Sequence, residues 1–326
     1  MKAIIPLAGL GTRLRPHTLS RPKPLVQVAG KPVLGHVLDR LDGVDFSQMI
    51  FITGYLGDQI EAWVRANYTF DAVFVEQKEL KGQAHAIQLA RDYIDEPILI
   101  VFVDTIFEAN IRQLETLDCD GAIFVKEVED PRRFGVAVLD DGLVERLVEK
   151  PKQPVSNLAV VGVYYLRDWR LFIDCLDELI DRDIKTGGEY YLADALQLMV
   201  DKGARLKAFA SDVWEDTGTA EALLQTNRYL LGKAGNTVDG EVENSIIVPP
   251  VYLSAGAKLV NSVIGPNVSV ASGAVVCESV LKDCIVGDNA QVTSAVLANS
   301  LVGSHAVVQW DPHRLNLSDY SQIELG

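Results

Sequence analysis

Two short stretches near the N-terminus carry residues able to grip a polyphosphate: Leu7-Ala-Gly-Leu-Gly-Thr-Arg-Leu-Arg-Pro-His-Thr18 and Arg21-Pro-Lys-Pro-Leu25. Gly9 and Gly11 let backbone approach a phosphate with no Cβ in the way. The N–H groups of such a loop, with Arg13 and Lys23 added, make a pocket for linked phosphates. A glycine-rich strand-to-helix turn would explain Gly-x-Gly alone, but not the cations, prolines and threonines around it. The loop is not a P-loop, which needs Gly-x-x-x-x-Gly-Lys-Ser/Thr. Nor is it a dinucleotide fingerprint, since Leu14 stands where the third glycine belongs. Two carboxylates complement these cations. Asp104 closes the apolar run Leu99-Ile-Val-Phe-Val103. A charge there is costly without a partner, and Mg²⁺ is a suitable one because it takes hard oxygen ligands and keeps phosphates and waters. A helix N-cap is the alternative reading of Asp104. Asp216, in Trp214-Glu-Asp-Thr-Gly-Thr219, reads either as a second metal ligand or as a cap for the helix that follows. Gln77 precedes Gly82-Gln-Ala-His-Ala86, and its amide can donate and accept at once. That suits a pyrimidine edge, although a surface glutamine after a strand reads the same way.

These residues fall at the ends of regular elements. Strands are expected at 3–5, 49–53, 72–75, 97–103 and 159–166, with a hairpin of 136–139 and 143–148 turning at Asp140-Asp141-Gly142. Helical apolar spacing marks 33–41, 83–93, 192–200 and 220–231. Such alternation predicts an α/β domain with a Rossmann-like, mixed but mainly parallel sheet. Ligands of such sheets sit beyond the carboxyl ends of the strands, where the Gly9/Gly11 loop falls.

The N-terminal stretch resembles the signature of the sugar-phosphate nucleotidylyltransferases, Gly-x-Gly-Thr-Arg-Leu-x-Pro-x-Thr followed by Pro-Lys-Pro. The resemblance runs in family order through residue 232. It implies attack by a sugar 1-phosphate on the α-phosphorus of an NTP, with pyrophosphate leaving. By this resemblance Arg13 and Lys23 are the catalytic cations, and Asp104 and Asp216 hold Mg²⁺. Leu7, Ala8, Gly9, Leu10, Gly11, Thr12, Gln77 and Gly82 bind the nucleotide, with dTTP or UTP favoured. Glu149-Lys150-Pro151 resembles the family's sugar motif, so Gly135, Glu149, Lys150, Val160 and Glu189 are expected around the sugar phosphate, glucose 1-phosphate first. A solvated hairpin end would also account for Glu149 and Lys150, and Glu189 could simply begin the next helix. Val103 stands where the family has glycine, and Leu10 where many members have a small residue. Those two departures leave open a nucleotide-sugar-binding regulatory or scaffold subunit without catalysis.

The pattern changes after Gly232-Lys-Ala-Gly-Asn236. Aliphatic residues then recur every five or six positions, from Ile247 and Leu253 to Val302 and Val308, with turn-forming residues between. This is the mark of a hexapeptide β-helix; a β-sandwich would turn at spacings nearer ten. Resemblance to family members with C-terminal extensions makes the β-helix left-handed. The expected organisation is a catalytic domain over 1–232, a linker over 233–245, a β-helix over 246–309 and a tail over 310–326. Stacked coils need end caps, so a homo-oligomer through the β-helix is expected, with the tail as another possible cap. His305 is the one histidine in the repeats, too little for a second, acyltransferase site. The net charge of −15 argues against nucleic acid or an anionic membrane as partner. It makes Arg13, Arg15, Arg21 and Lys23 a local basic island. Four cysteines without zinc spacing, no signal peptide and no apolar run long enough for a bilayer point to the cytoplasm.

Overall fold

The computed structural model describes residues 1–114 and 116–310. The chain divides into two compact units after Thr226. In the first, the elements run β1 (Lys2–Pro6), β2 (Gln27–Val28), β3 (Lys31–Pro32), α1 (Val33–Arg40), β4 (Gln48–Thr53), α2 (Gly57–Asn67), β5 (Ala72–Glu76), α3 (Gln83–Gln88), β6 (Ile98–Val101) and β7 (Thr105–Glu108). There follow β8 (Gly121–Glu127), β9 (Gly135–Asp140), β10 (Leu143–Glu149), β11 (Leu158–Leu166), α4 (Trp169–Asp181), α5 (Leu192–Asp201), β12 (Leu206–Ala210) and β13 (Val213–Asp216), and then α6 (Ala220–Ala234), whose residues from Asn227 on belong to the second unit.

Nine strands form one mixed sheet in the order β5-β4-β1-β6-β11-β8-β12-β10-β9. The pairings β5–β4, β4–β1 and β1–β6 are parallel, and only β10 and β11 run against the rest. The central strands are apolar on both faces because helices cover both. Ile98, Leu99, Ile100 and Val101 of β6 are fully buried. Side chains such as Ile4, Ile50, Phe51 and Ile100 each contribute about 1.5–3 kcal/mol on leaving water. The carboxyl ends of β1, β4, β5 and β6 lie side by side, and each releases a loop at the same edge of the sheet.

Several expectations need correcting. The helix expected over 83–93 stops at Gln88, and a 3₁₀ turn, Arg91–Tyr93, replaces its end. The hydrogen bonds tighten there to Ala90 N–Ile87 O and Tyr93 N–Ala90 O, turning the chain toward β6. Two amphipathic helices, α2 and α4, stood unmarked although Gly57 opens the first and Asp168 caps the second. Asp104 caps no helix, because Thr105–Glu108 is a strand paired with β13.

In the second unit short strands stack in parallel. Glu241–Glu243, Lys258–Val260, Val275–Cys277, Gln291–Thr293 and Val307–Gln309 make one face. Lys258 pairs with Val275 and Val275 with Gln291, so a coil takes 17 and then 16 residues. The expected linker contains coil strands already, at Thr237–Val238 and Glu241–Glu243. Leu259, Val276 and Val292 stack inside. Most coil corners place one residue at positive φ, which explains the recurrent Asn, Asp and Gly. Asn244, Asn261, Glu278 and Ser294 form one such column, and Gly256, Gly273, Asn289 and His305 another. A serine ladder links the coils: Ser245 Oγ accepts from Ser262 N at 3.0 Å, Ser262 Oγ from Ser279 N at 3.1 Å, and Ser279 Oγ from Ala295 N at 3.1 Å. All four cysteines are free. The tail expected over 310–326 lies, beyond Trp310, outside the described residues. No helix among the described residues is long and apolar enough to cross a membrane.

Candidate active site

The loop after β1 is shaped by Gly11, whose φ of 61° sets it in the left-handed region ahead of a 3₁₀ turn, Thr12–Leu14. A Cβ on Gly11 would stand 2.9 Å from Lys23 Cβ and 3.1 Å from Thr18 Cγ2. Buried Thr18 donates to Gly11 O at 2.9 Å and closes the turn. Gly11 is therefore glycine so that Lys23 can lie directly beneath the loop. Gly9 differs: a Cβ there would meet nothing within 4 Å. The space over Gly9 is open cavity.

That cavity, about 400 Å³, is walled by Leu7, Ala8, Gly9, Gly11, Thr12, Arg13 and Lys23 on one side. Gln77, Gly82, Val103, Asp104 and Glu189 wall the other. Leu10 does not join them; it is 37% exposed and lines neither cavity of the site. Val103 is 4% exposed and faces in. A second cavity of about 210 Å³ is bordered by Gly135, Glu149, Lys150, Val160 and Asp216. Arg13 and Asp104 border both cavities. Glu189, expected near the sugar, borders the first cavity.

The side chains of Lys23 and Arg13 have no hydrogen-bond or ion-pair partner among the described residues. Burial pushes the Lys23 ammonium below the usual lysine range; Asp104 and Asp216 pull it back up, and Arg13 pushes it down further. Two basic groups thus face a cavity whose wall also carries Asp104 and Glu189, while Asp216 acts on Lys23 from the border of the second cavity.

Those carboxylates are over a hundred residues apart in sequence and are joined by the β7–β13 ribbon, in which Thr105 pairs with Asp216. Thr217 fastens the junction: its N–H and its hydroxyl both donate to Asp104 O, at 2.9 and 2.8 Å. Thr226 Oγ1 donates to Asp216 O at 2.8 Å. Gly218 N donates to Asp216 Oδ1 at 2.7 Å, and a Cβ on Gly218 would meet that oxygen at 2.8 Å and Arg13 Nη2 at 2.9 Å. The motif Asp-Thr-Gly-Thr therefore has a residue-by-residue reason: carboxylate, tie, gap for the guanidinium, and helix cap, since Thr219 Oγ1 accepts from Ala222 N at 3.2 Å.

At the second cavity, burial raises the Glu149 carboxyl above the usual range, Lys150 opposes this, and Asp194 and Glu189 add to it. A Cβ on Gly135 would stand 2.9 Å from Glu149 Oε2. Lys150, at φ 43°, turns its Nζ to within 3.4 Å of Glu149 Oε1 and donates to Tyr191 Oη at 3.1 Å. Burial works against its charge, but these partners outweigh it and raise the ammonium's pKa. Gly82, expected at the base, also has a packing reason: its Cβ would sit 2.4 Å from Tyr190 O.

Sequence reasoning passed over Trp214, whose indole borders the second cavity beside Phe134, with ring centroids 4.7 Å apart. Its indole Nε1 is buried with no hydrogen-bond partner among the described residues. Its place two residues before Asp216 was the available signal. Gln83 lay inside the Gly82–Ala86 motif without being singled out, and Phe102 and Tyr164 at the cavity walls gave no signal.

Among the described residues no group of three or more His, Cys, Asp and Glu side chains gathers as a metal site. A pair of carboxylates still fits Mg²⁺, which binds through one or two carboxylates and leaves its other positions to phosphates and water.

A family model for nucleotidyl transferases matches residues 2–233, and one described as GlmU-like, C-terminal hexapeptide matches residues 231–315. Glucose-1-phosphate thymidylyltransferase of Streptomyces griseus is 32% identical over 370 residues, with 100% of both chains covered. The bifunctional protein GlmU of Methanocaldococcus jannaschii is 36% identical over 255 residues, covering 76% of this chain. The chain spans only 59% of that relative's length. The crystal structure of UDP-glucose pyrophosphorylase complexed with UDP-glucose has a similar fold, with a TM-score of 0.62 at 22% identity over 71% of this chain and 98% of that one. With the Gly9–Arg13 loop, the carboxylate ribbon and the stacked coils all in place, the chain belongs to the nucleotidyl transferase family.

Proposed function

We propose that this protein transfers a nucleotidyl group from dTTP or UTP to a sugar 1-phosphate, with glucose 1-phosphate the first candidate, releasing pyrophosphate. The carrying observation is that Arg13 and Asp104 border both cavities. The nucleotide fits the larger one, above Gly9 and Gly11, with Gln77 at the base. The sugar fits the smaller one, where Glu149 accepts from its hydroxyls and Lys150 contacts its phosphate. The α-phosphate then lies at the junction.

An oxygen of the sugar phosphate forms a bond to the α-phosphorus as the α-phosphorus–oxygen bond to pyrophosphate breaks. Such transfer depends on position and charge neutralisation. Arg13 draws the departing pyrophosphate. Lys23, poor in water and unpaired, gains most from charge that develops on the α-phosphate. Bound at Asp104 and Asp216, Mg²⁺ supplies further neutralisation of phosphate charge. Catalysis is assigned to residues 1–232, and self-association in the cytoplasm to the coils. His305 occupies a turn position in the corner column, as Gly256 and Gly273 do, so it is assigned to the fold.

The test is pyrophosphate release with Mg²⁺ and glucose 1-phosphate across UTP, dTTP, ATP, GTP and CTP. Turnover with UTP or dTTP supports the reading. Background release with all five would leave only a binding subunit.

A further inference from the structure

Gln77 directly follows β5 with 4% of its surface exposed, yet it forms part of the larger cavity's wall. Its backbone N donates to Thr53 O at 2.8 Å. Its side-chain Nε2 lies 3.2 Å from Gly82 O and 3.1 Å from His85 Nδ1. These contacts fix the chemistry of three groups in turn. A backbone carbonyl only accepts, so the amide atom facing Gly82 O must be the nitrogen. That nitrogen always donates, so His85 Nδ1 must present a lone pair. The proton of the neutral ring is then on Nε2. Burial lowers the His85 pKa, Lys81 lowers it further and Glu79 opposes, a balance that favours the neutral ring.

Both amide hydrogens are thereby spent inside the protein. The atom left for the cavity is Oε1, which can only accept. A base that presents an imino N–H at that point, as uracil and thymine do at N3, satisfies it. Cytosine presents a lone pair at N3, and two acceptors facing each other lose a hydrogen bond and repel.

We infer that His85 is a positioning residue for base selection: by accepting from Gln77 Nε2 at Nδ1, it locks the amide so that Gln77 Oε1 reads an imino N–H and rejects cytosine. The inference rests on the proposed reading of Gln77 as the base contact. His85 touches no substrate; it acts through Gln77 alone. Gly82 O and His85 Nδ1 together hold the amide against turning over; with Gly82 O alone the hold is weaker by one hydrogen bond, so discrimination depends on His85 as well as on Gln77.

The test uses steady-state kinetics of the full chain with UTP and CTP. In His85→Leu the ratio of kcat/KM for UTP over CTP should fall roughly tenfold, the worth of one hydrogen bond. The change should lie in KM for the nucleotide, with kcat and KM for sugar phosphate held. His85→Asn, which can place an amide oxygen where Nδ1 stood, should restore the ratio to within about twofold of the parent, a small fraction of one bond. An unchanged ratio in His85→Leu, with Gln77→Ala losing discrimination, overturns the role of His85 and keeps that of Gln77. A loss that His85→Asn fails to rescue also overturns it, as a packing effect. Gln77→Ala with unaltered discrimination removes the base reading itself. Nitrogen-15 NMR of the parent chain reads the tautomer independently of any variant's folding: a bare Nδ1 supports the inference, and a protonated Nδ1 overturns it.

Discussion

The two units of this chain solve the placing of side chains in different ways. In the coils every role recurs: an aliphatic residue inward, a serine on the ladder, a left-handed corner, each repeated 16 or 17 residues later. In the N-terminal unit no role recurs. Gly11 makes room for Lys23, Gly218 for Arg13 and Gly135 for Glu149, each through a different contact. A repeated role spreads its energy over neighbours that do the same work. A unique role has no understudy. Damage to the first unit should therefore show in rate, and damage to the second in stability.

The largest expected effect tests the first half of that contrast. Lys23→Ala should lower kcat by about 10²–10³-fold, the range seen when one preorganised charge-stabilising group is removed. It should leave the thermal midpoint unchanged or higher, because a desolvated cation is lost. A pyrophosphate-release assay beside a thermal melt reads both, and an unchanged rate removes Lys23 from the mechanism. Leu259→Ala tests the second half. It should cost about 2–5 kcal/mol of the coils' stability by denaturant titration, with kcat within twofold of the parent, a change of under about 0.5 kcal/mol in the barrier. A collapse of kcat in folded protein would break the contrast.

A smaller effect separates two glycines of one loop. Gly11→Ala must adopt φ near 61° and should lose about 1–2 kcal/mol of stability along with activity. Gly9→Ala meets open space; it should fold as the parent does and raise KM for the nucleotide. Equal stability losses would contradict the assignment of the space above Gly9 to ligand.

The smallest concerns pH. The folded-state pKa of Glu149 is raised by burial, so the folded protein binds this proton more readily than the unfolded chain. The ionised carboxylate then costs stability above its folded pKa, and the cost vanishes below the unfolded value of about 4.3. Glu149→Gln should raise the thermal midpoint near pH 7, show no gain at pH 4, and weaken sugar-phosphate binding. A gain of equal size at both pH values would show that the carboxyl's ionisation carries no such cost.

Much of this was legible in the chain. The coils announce themselves because a periodic structure imprints its period on the sequence. The Gly9–Arg13 loop and Pro22-Lys-Pro24 were legible because the cavity-lining groups Gly9, Gly11, Thr12, Arg13 and Lys23 lie close together in sequence. What stayed hidden depended on residues distant in sequence. The strand Thr105–Glu108 could pass for a helix start at Asp104, because its partner Val213–Asp216 lies over a hundred residues away. Glu189 borders the first cavity, and Leu10 neither, for the same reason: the side of a loop that faces a ligand is set by whatever packs on its other side.

The sequence by itself determined the chemistry on offer, two cations, two carboxylates and an amide, because residue type is a local property. It also determined the existence of a stacked-coil unit, because burial in a repeat has a period. Only the tertiary structure decided that Arg13 and Asp104 would serve both cavities, that Thr217 would tie the carboxylate loops together, and that His85 would spend the amide hydrogens of Gln77. The first two join segments distant in sequence, whose geometry exists only when the strands between them have paired; the third needs the turn from β5 into α3 to bring Gln77 and His85 together.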